Sequence, residues 1–226
     1  MSGRIILLRH GQTHSNVSHI LDTRPPGAEL TELGRAQADE VGRELADFLG
    51  AGQDSEGSLG AVISSVALRA QQTAVLTMAS YEQAAGKDPG SIPIDVRLGI
   101  HEVFAGDHEG YNDEETHRNY AQILRQQLER DTLACLPNGE TYPQVLERFR
   151  PVLESVQEEV AARDKDTIIV SHGTAIRTAA TYATGVDGDF AFAGYIANCR
   201  YIVLEPGDAE FGAWKLVRWA DLDHQI

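Results

Sequence analysis

The chain has 226 residues, of which 42% are hydrophobic and 23% charged, a composition that indicates a globular core and excludes disordered and collagen-like classes. Its 19 basic and 34 acidic residues give a net charge of −15, which argues against nucleic acid and anionic membranes as partners. Two cysteines, no apolar run near 18 residues and no leader-like N-terminus predict a cytoplasmic protein without a disulfide framework.

Short apolar strands alternate with helices along the chain. The pattern predicts strands at 4–9, 61–64, 92–96 and 167–171, followed by a possible pair at 200–204 and 214–219. Helices are predicted at 31–50, 68–81, 113–130, from 141 with a kink at Pro151, and at 175–184. Pro93 favours an edge position for the third strand.

This alternation is typical of an α/β fold with a mostly parallel central sheet and helices on both faces. We expect one domain over residues 1–226, in which 113–139 is a helical excursion over the site.

Polar side chains follow the predicted strands at the point where each strand ends. Arg9 and His10 end the first strand, Arg69 opens the helix after the second, Glu102 follows the third, and His172 ends the fourth. Ligands of open α/β sheets bind beyond the carboxyl ends of the strands. Two arginines, two histidines and a carboxylate at one rim predict phosphoryl transfer through a covalent intermediate.

Each of these groups has a role in that chemistry. A neutral His10 can attack phosphorus if its other ring nitrogen donates to a backbone acceptor. Arg9 and Arg69 can bind phosphate oxygens, and His172, if protonated, adds a donor. Glu102 would protonate the leaving alkoxide and then deprotonate the attacking water.

The backbone around Gly11 and Gly173 and the amide of Asn16 can complete the phosphate site. Because the arginines supply the electrostatic stabilisation, this chemistry needs neither a metal ion nor a cofactor.

Six short motifs occur in one order along most of the chain. They are R-H-G-Q-T-H-S-N at 9–16, L-T-E-L-G-R-A-Q-A at 30–38, S-V-A-L-R-A-Q-Q-T-A at 65–74, E-V-F-A-G-D-H-E-G at 102–110, G-E-T at 139–141 and S-H-G at 171–173. The set resembles the histidine phosphatase superfamily, in the branch that contains the cofactor-dependent phosphoglycerate mutases.

The resemblance implies that His10 is the phosphorylated nucleophile and that Glu102 is the proton donor and acceptor. It implies that Arg9, Arg69 and His172 form the rest of the phosphate pocket. The implied fold is a sheet flanked by helices, with the site at its C-terminal rim.

Departures from the mutase pattern favour hydrolysis. Mutases usually carry R-H-G-E-S followed by a tryptophan-containing segment, whereas this chain has Gln12 and Thr13 followed by I-L-D-T-R-P-P-G at 20–27. The segment 113–139 does not resemble their proline-rich substrate segment. We therefore expect a phosphatase for a small phosphomonoester, with a phosphoglycerate mutase as the alternative. Three residues are expected to line the substrate side: Arg24, His101 and His108.

Two rival classes use the same residues differently. A metallohydrolase would draw its ligands from His10, His14, His101, Asp107 and His108, although Gly11 after a strand makes a helical His-x-x-x-His pair improbable. A non-catalytic module that binds phosphorylated ligands would keep the fold without turnover. The expected partner is a small phosphorylated metabolite. The sequence leaves open whether the protein forms a homodimer.

Overall fold

A computed structural model describes residues 3–222 and contains a six-stranded central sheet beside a small two-stranded one. The strands are β1 Ile5–Arg9, β2 Ala51–Gly52, β3 Ser55–Glu56, β4 Leu59–Ser65, β5 Ile94–Arg97, β6 Asp166–Ser171, β7 Tyr201–Glu205 and β8 Lys215–Trp219. The helices are α1 His14–Val17, α2 Glu32–Phe48, α3 Leu68–Ala84, α4 Glu114–Leu128, α5 Tyr142–Arg163, α6 Gly173–Thr184 and α7 Gly188–Ala193.

The central sheet has the order β5-β4-β6-β1-β7-β8. The first four strands are parallel to one another, whereas β7 is antiparallel to both β1 and β8. The predicted mostly parallel sheet is confirmed, as are the edge position of β5 and the pairing of the last two strands. Because the parallel strands share one direction, the segments that follow β1, β4, β5 and β6 all emerge at the same rim.

Helices cover both faces of the sheet, since successive residues of a strand point to opposite sides. In β1, Ile5 and Leu7 belong to one apolar cluster, which also contains side chains of α5 and α6. Ile6 and Leu8 belong to the other cluster, together with side chains of α2 and α3. An apolar core therefore covers each face of the sheet, and the polar residues that could carry out chemistry lie at the rim.

The helix starts follow the predicted caps. Thr31 accepts a hydrogen bond from the backbone N–H of Gly34 at 3.0 Å and so begins α2. Thr141 and Gln144 form a reciprocal capping box at the start of α5. Helix α5 continues through Pro151 without interruption.

Four features were not predicted: the β2–β3 hairpin, the short helices α1 and α7, and a 3₁₀ turn at Gly106–His108. Their two to six residues are too few to show a hydrophobic period. The single-domain prediction covers residues 1–226, of which 1–2 and 223–226 lie outside the described residues. Within 3–222, no helix is both long and apolar enough to span a bilayer.

Candidate active site

A cavity of about 450 Å³ opens at the rim where the parallel strands end. Five of the predicted site residues line it, and they come from four separate segments of the chain: Arg9 and His10, Arg69, Glu102, and Gly173. The sheet topology therefore brings together most of the groups that the sequence placed at strand ends.

His10 lies against this cavity with only 4% of its surface exposed. Its Nδ1 is 2.8 Å from the carbonyl oxygen of Gly11, which can only accept, so Nδ1 carries the proton. The other ring nitrogen, Nε2, has no hydrogen-bond partner among residues 3–222. Burial, with the positive charges of Arg69 and Arg9, holds the pKa of His10 well below its ordinary value. His10 is thus a neutral imidazole with a free lone pair at neutral pH.

Arg9 is anchored along one side of its guanidinium. Its Nη1 donates to the carbonyl oxygen of Ile196 at 2.6 Å and to the hydroxyl of Tyr195 at 2.8 Å. Its Nε is buried without a partner in the described chain. A Cβ on Gly173 would lie 3.1 Å from that Nε, so the absence of a side chain there leaves room for the guanidinium. Arg9 can therefore offer its remaining N–H groups to an anion.

Arg69 is held by a chain of hydrogen bonds that ends at β4. Its Nε donates to Nδ1 of His172 at 3.2 Å. Because Nδ1 accepts, Nε2 of His172 carries the proton and donates to the hydroxyl of Ser65 at 2.9 Å. Nη1 of Arg69 is buried without a hydrogen bond and lies 3.8 Å from a carboxylate oxygen of Asp22. Nη1 is thus covered by the protein, and Nη2, which bonds to no described residue, is the nitrogen that Arg69 can present to a ligand.

Gly27 packs directly on this arginine. It adopts a φ of +68°, and a Cβ at this position would lie 2.1 Å from Nη1 of Arg69. The 20–27 segment, which departs from the mutase pattern, therefore forms part of the support of a phosphate-site residue.

His172 differs from its predicted role as a protonated donor. The side chain is fully buried, both ring nitrogens are already bonded, and burial with the charge of Arg69 holds its pKa well below the ordinary value. His172 is not part of the cavity wall and instead orients Arg69.

Gly11 and Asn16 are likewise not among the residues that line the cavity. The N–H of Gly11 donates to the hydroxyl of Thr73 at 3.0 Å, and is thus unavailable to phosphate. The amide oxygen of Asn16 accepts from the backbone N–H of Thr13 at 3.1 Å, within the capping box of α1. The N–H of Gly11 is therefore engaged by a side chain, whereas the amide nitrogen of Asn16, the atom that could donate to phosphate, bonds to no described residue, so the contact expected of Asn16 stays a prediction.

Glu102 points its carboxylate at the N-terminus of α6. Its Oε1 accepts from the backbone N–H groups of Val103 at 2.9 Å and Ala175 at 2.8 Å. Its Oε2 accepts from the N–H of Thr174 at 3.2 Å. A helix N-terminus stabilises negative charge, and Oε2 is the less engaged of the two oxygens. Glu102 is thereby fixed at the cavity wall with one oxygen available to a ligand.

The loop that carries Glu102 is fastened by Arg148 and Glu140, neither of which was assigned a role in the site. Arg148 donates to the carbonyl oxygens of Gly99 at 2.7 Å, His101 at 2.8 Å and Glu102 at 3.1 Å. Its Nε and Nη2 each bond to Glu140 at 2.8 Å. Burial raises the pKa of Glu140, but the hydrogen bonds and the charge of Arg148, together with the N–H of Phe104, outweigh it, and the pKa lies below its ordinary value. This ion pair fixes the backbone from which Glu102 projects.

The three residues expected to line the substrate side lie outside the cavity wall. Arg24 lies over the ring of Phe104, with 4.9 Å from its guanidinium carbon to the ring centroid. His101 stacks on the same ring at 4.7 Å. His108 packs beside Tyr111, with their ring centroids 6.3 Å apart. Each of these side chains thus contacts an aromatic ring of the 104–111 segment, and its place on the substrate side stays a prediction.

The wall opposite the sheet comes from α4, the first part of the predicted helical excursion, with His117, Tyr120, Ala121 and Leu124 among its residues. The hydroxyl of Tyr120 donates to the hydroxyl of Thr174 at 2.9 Å and so ties α4 to α6.

Two further residues of the wall were missed from the sequence. Arg177 is 7% exposed and its side chain makes no hydrogen bond or ion pair with any described residue. Burial, and the charge of Arg9, lower its pKa. Tyr195 also lines the cavity, and its hydroxyl accepts a hydrogen bond from Arg9. The available signal for Arg177 was its spacing, since it follows Gly173 by four residues and a helix places such residues on one face.

The arrangement of the site residues does not support the metallohydrolase alternative. Within residues 3–222 there is no group of three or more His, Cys, Asp or Glu side chains that could hold a metal ion. His14 is exposed on α1, and His108 lies outside the cavity wall.

Comparison with known proteins identifies the family. The model of the histidine phosphatase superfamily (branch 1) matches residues 5–222. A 2,3-bisphosphoglycerate-dependent phosphoglycerate mutase of Nitrobacter winogradskyi is 28% identical over 181 residues, which cover 78% of this chain and 79% of the mutase. A glucosyl-3-phosphoglycerate phosphatase of Mycolicibacterium vanbaalenii is 27% identical over 227 residues, which cover 96% of this chain and 91% of that protein.

Among solved structures, a mycobacterial glucosyl-3-phosphoglycerate phosphatase in complex with VO3 superposes with a TM-score of 0.74. The match covers 97% of this chain and 99% of the other at 24% identity, and it shows a shared fold. The family match spans nearly the whole described chain and contains every residue of the cavity wall. The chain therefore belongs to the histidine phosphatase superfamily, branch 1, and is an enzyme of that superfamily.

Proposed function

We propose that the protein is a phosphatase that hydrolyses a small phosphomonoester through a phosphohistidine at His10. The observation that carries the proposal is the tautomer of His10, whose Nδ1 proton is committed to Gly11 while Nε2 is free beside two arginines. A neutral imidazole in that form is a nucleophile for phosphorus.

In the first step, Nε2 of His10 forms a bond to phosphorus as the ester P–O bond breaks. The free N–H groups of Arg9 and Arg69 bind the equatorial oxygens, where charge is spread in the transition state. The leaving alkoxide takes a proton from the less engaged oxygen of Glu102. His172 acts through Arg69 by holding its Nε.

In the second step, Glu102 removes a proton from water as the water oxygen attacks the phosphohistidine. The P–N bond breaks, His10 returns to its neutral form, and inorganic phosphate leaves. Glu102 is then protonated again for the next cycle, so one carboxyl group serves both steps.

Hydrolysis is favoured over isomerisation by the extent of similarity to a phosphatase, which covers 96% of this chain. A phosphoglycerate mutase is the second candidate, because a mutase shares 28% identity over 78% of the chain. One assay separates the two. Incubation with 3-phosphoglycerate and 2,3-bisphosphoglycerate should release inorganic phosphate, and rapid formation of 2-phosphoglycerate would overturn the phosphatase proposal.

Trapping of the phosphoenzyme tests the assignment of His10 as the nucleophile. His10→Ala should abolish turnover and the acid-labile, base-stable phosphoenzyme while preserving the thermal unfolding midpoint. His14→Ala is the matched control, since His14 is exposed on α1. A phosphoenzyme that persists in His10→Ala would contradict the mechanism.

A further inference from the structure

The charges on the cavity wall balance one phosphate dianion. Five arginine and carboxylate side chains line the cavity: Arg9, Asp22, Arg69, Glu102 and Arg177. In the proposed first step Glu102 is protonated, so three arginines face one carboxylate and the wall carries two positive charges. A phosphomonoester carries about two negative charges at neutral pH. A second anionic group on the ligand would therefore be buried without an opposite charge, which is costly.

The guanidinium of Arg177 is engaged by an aromatic ring of the same wall. Its central carbon lies 6.0 Å from the ring centroid of Tyr195, whose hydroxyl accepts from Arg9 at 2.8 Å. A cation–π contact stabilises a positive charge without neutralising it. Burial, and the charge of Arg9, lower the pKa of Arg177, so this charge acts on the same region as the phosphate-site arginines. Arg177 thus contributes to the balance of the phosphoryl group.

The remaining polar side chains of the wall, apart from His10, already bond to the protein. The hydroxyl of Tyr120 donates to the hydroxyl of Thr174 at 2.9 Å. The hydroxyl of Thr23 donates to Glu109, and Nε2 of His117 bonds to a backbone carbonyl oxygen at 2.6 Å. A ligand rich in hydroxyl groups would have to replace such bonds, and each exchange yields little net free energy. The wall therefore offers few free partners to a polar leaving group.

Apolar side chains make up the rest of the wall. They come from the 20–27 segment, from α4, from α7 and from the segment before β7: Ile20, Leu21, Ala121, Leu124, Phe192 and Ile196. The volume of about 450 Å³ lies in the range of pockets that hold small molecules, about 300–1,000 Å³. A phosphoryl group fills only part of such a volume, so the carbon atoms of the leaving alcohol would lie against these apolar side chains.

We propose that the substrate is a phosphomonoester of an uncharged alcohol, and that the apolar chain or ring of this alcohol lies against α4 and α7. The inference rests on the proposed phosphatase function and narrows its substrate class. The phosphoryl group supplies the charge that the arginines bind, and the alcohol contributes through burial of its hydrocarbon. Ala121, Leu124 and Phe192 are then the residues that select the alcohol.

The first test compares three substrates with three carbon atoms each: n-propyl phosphate, sn-glycerol 3-phosphate and 3-phosphoglycerate. The value of kcat/KM should be highest for the propyl ester. It should be at least about 10-fold lower for 3-phosphoglycerate than for glycerol 3-phosphate, because the carboxylate finds no opposite charge. A value for 3-phosphoglycerate that is within threefold of the value for glycerol 3-phosphate, or above it, would overturn the proposal.

The second test uses the n-alkyl phosphates from ethyl to pentyl phosphate. Their leaving alcohols are of similar acidity, so the esters differ mainly in the hydrocarbon that the cavity can bury. The value of kcat/KM should rise by about three- to fourfold with each added methylene, the factor expected for its full burial. A series without an increase would also overturn the proposal, and this measurement needs only the intact enzyme.

Ala121→Gln tests the contact with α4. The position is exposed on the helix, so it can accept a longer side chain, and the amide would lie on the cavity wall. The increase per methylene should fall below about twofold. Ala161→Gln is the matched control, because Ala161 is an exposed alanine of α5 that does not line the cavity, and it should keep the increase of the intact enzyme. Equal increases in the two variants would contradict the placement of the alcohol against α4.

Failure of this substrate class is distinguishable from failure of the phosphatase proposal. His10-dependent hydrolysis of para-nitrophenyl phosphate measures phosphatase chemistry whichever alcohol the cavity prefers. If that activity is present and the alkyl series shows no increase, only the substrate class falls. If no phosphomonoester is hydrolysed in a His10-dependent manner, the phosphatase proposal falls with it.

Discussion

Nε of Arg69 donates to Nδ1 of His172 at 3.2 Å, so a phosphate-site arginine is aimed by a histidine that has no exposed surface. The opposite ring nitrogen of His172 is bonded to Ser65. The end of β6 thus orients Arg69 through a side chain that the ligand does not touch.

His172→Phe should lower kcat/KM by about 100-fold and weaken inhibition by inorganic phosphate in parallel, because Arg69 loses the acceptor of its Nε. His172→Asn should recover part of the activity, since the amide oxygen can accept from Nε. Ser65→Ala removes the partner of the ring, together with a long bond from the N–H of Ala67, and should cost about 10-fold. Unchanged phosphate inhibition in His172→Phe would show that the histidine does not position Arg69.

Glu102→Gln should affect substrates according to their leaving groups. For an alkyl phosphomonoester, kcat/KM should fall by about 10²- to 10⁴-fold, because the alkoxide then leaves without a proton. Para-nitrophenyl phosphate has a leaving group that is stable as an anion, so its formation of the phosphoenzyme should slow far less. Glu158→Gln is the control, since Glu158 is exposed on α5 away from the cavity wall and its replacement should leave both substrates unchanged.

Gly27→Ala and Gly90→Ala form a matched pair, because both glycines have a positive φ, of +68° and +75°. Each substitution should destabilise the fold by about 1 kcal/mol through backbone strain. Only Gly27 faces Arg69, whereas a Cβ at Gly90 meets no atom within 4 Å. Activity should therefore fall only in Gly27→Ala, by about 10-fold for a displaced arginine. Equal activity in the two variants would refute the packing of Gly27 on Arg69.

The stability of the fold should decline as the pH falls from 6.5 to 4, in part because of His101. Burial, with the charge of Arg148, lowers the pKa of His101 to about 4. The unfolded chain takes up this proton near pH 6.5 and the folded chain only near pH 4, so acid favours unfolding across that window. Above pH 6.5 His101 is neutral in both the folded and the unfolded chain, so it no longer lowers the free energy of unfolding.

His101→Phe removes this linkage and keeps the stacking on Phe104. The loss of unfolding free energy between pH 7 and pH 4.5 should become smaller by about 1–2 kcal/mol, after a discount for the partly exposed ring. The buried His10 and His172 add losses of the same sign, so the variant keeps a residual slope. Urea titrations at the two pH values measure the difference, and parallel behaviour of the two proteins would contradict it.

The sequence was sufficient for the parts of the fold and site that follow from strand periodicity. A buried strand that ends in Arg9 and His10, and another that ends in His172, place their side chains at one rim once the strands are parallel. The chemistry also required one ring nitrogen of His10 to donate to the backbone, and the structure identifies that nitrogen as Nδ1.

Other properties depended on contacts that leave no local pattern. An arginine within a helix, such as Arg177, looks the same in a sequence whether it is solvated or buried in a cavity. The N–H of Gly11 was assigned to phosphate, yet in the fold it donates to the hydroxyl of Thr73, a residue distant in the sequence. The packing of Arg24 and His101 on the ring of Phe104 could not be predicted either, because it depends on the fold of the loop that carries them.

Helix α4 contributes His117, Tyr120, Ala121 and Leu124 to the cavity wall but none of the residues that handle the phosphoryl group. Descendants of this gene can consequently acquire new metabolite preferences through changes on one helix face, while the strand ends that perform the reaction keep their sequence. A library randomised at these four positions would sample new preferences against a constant chemical background.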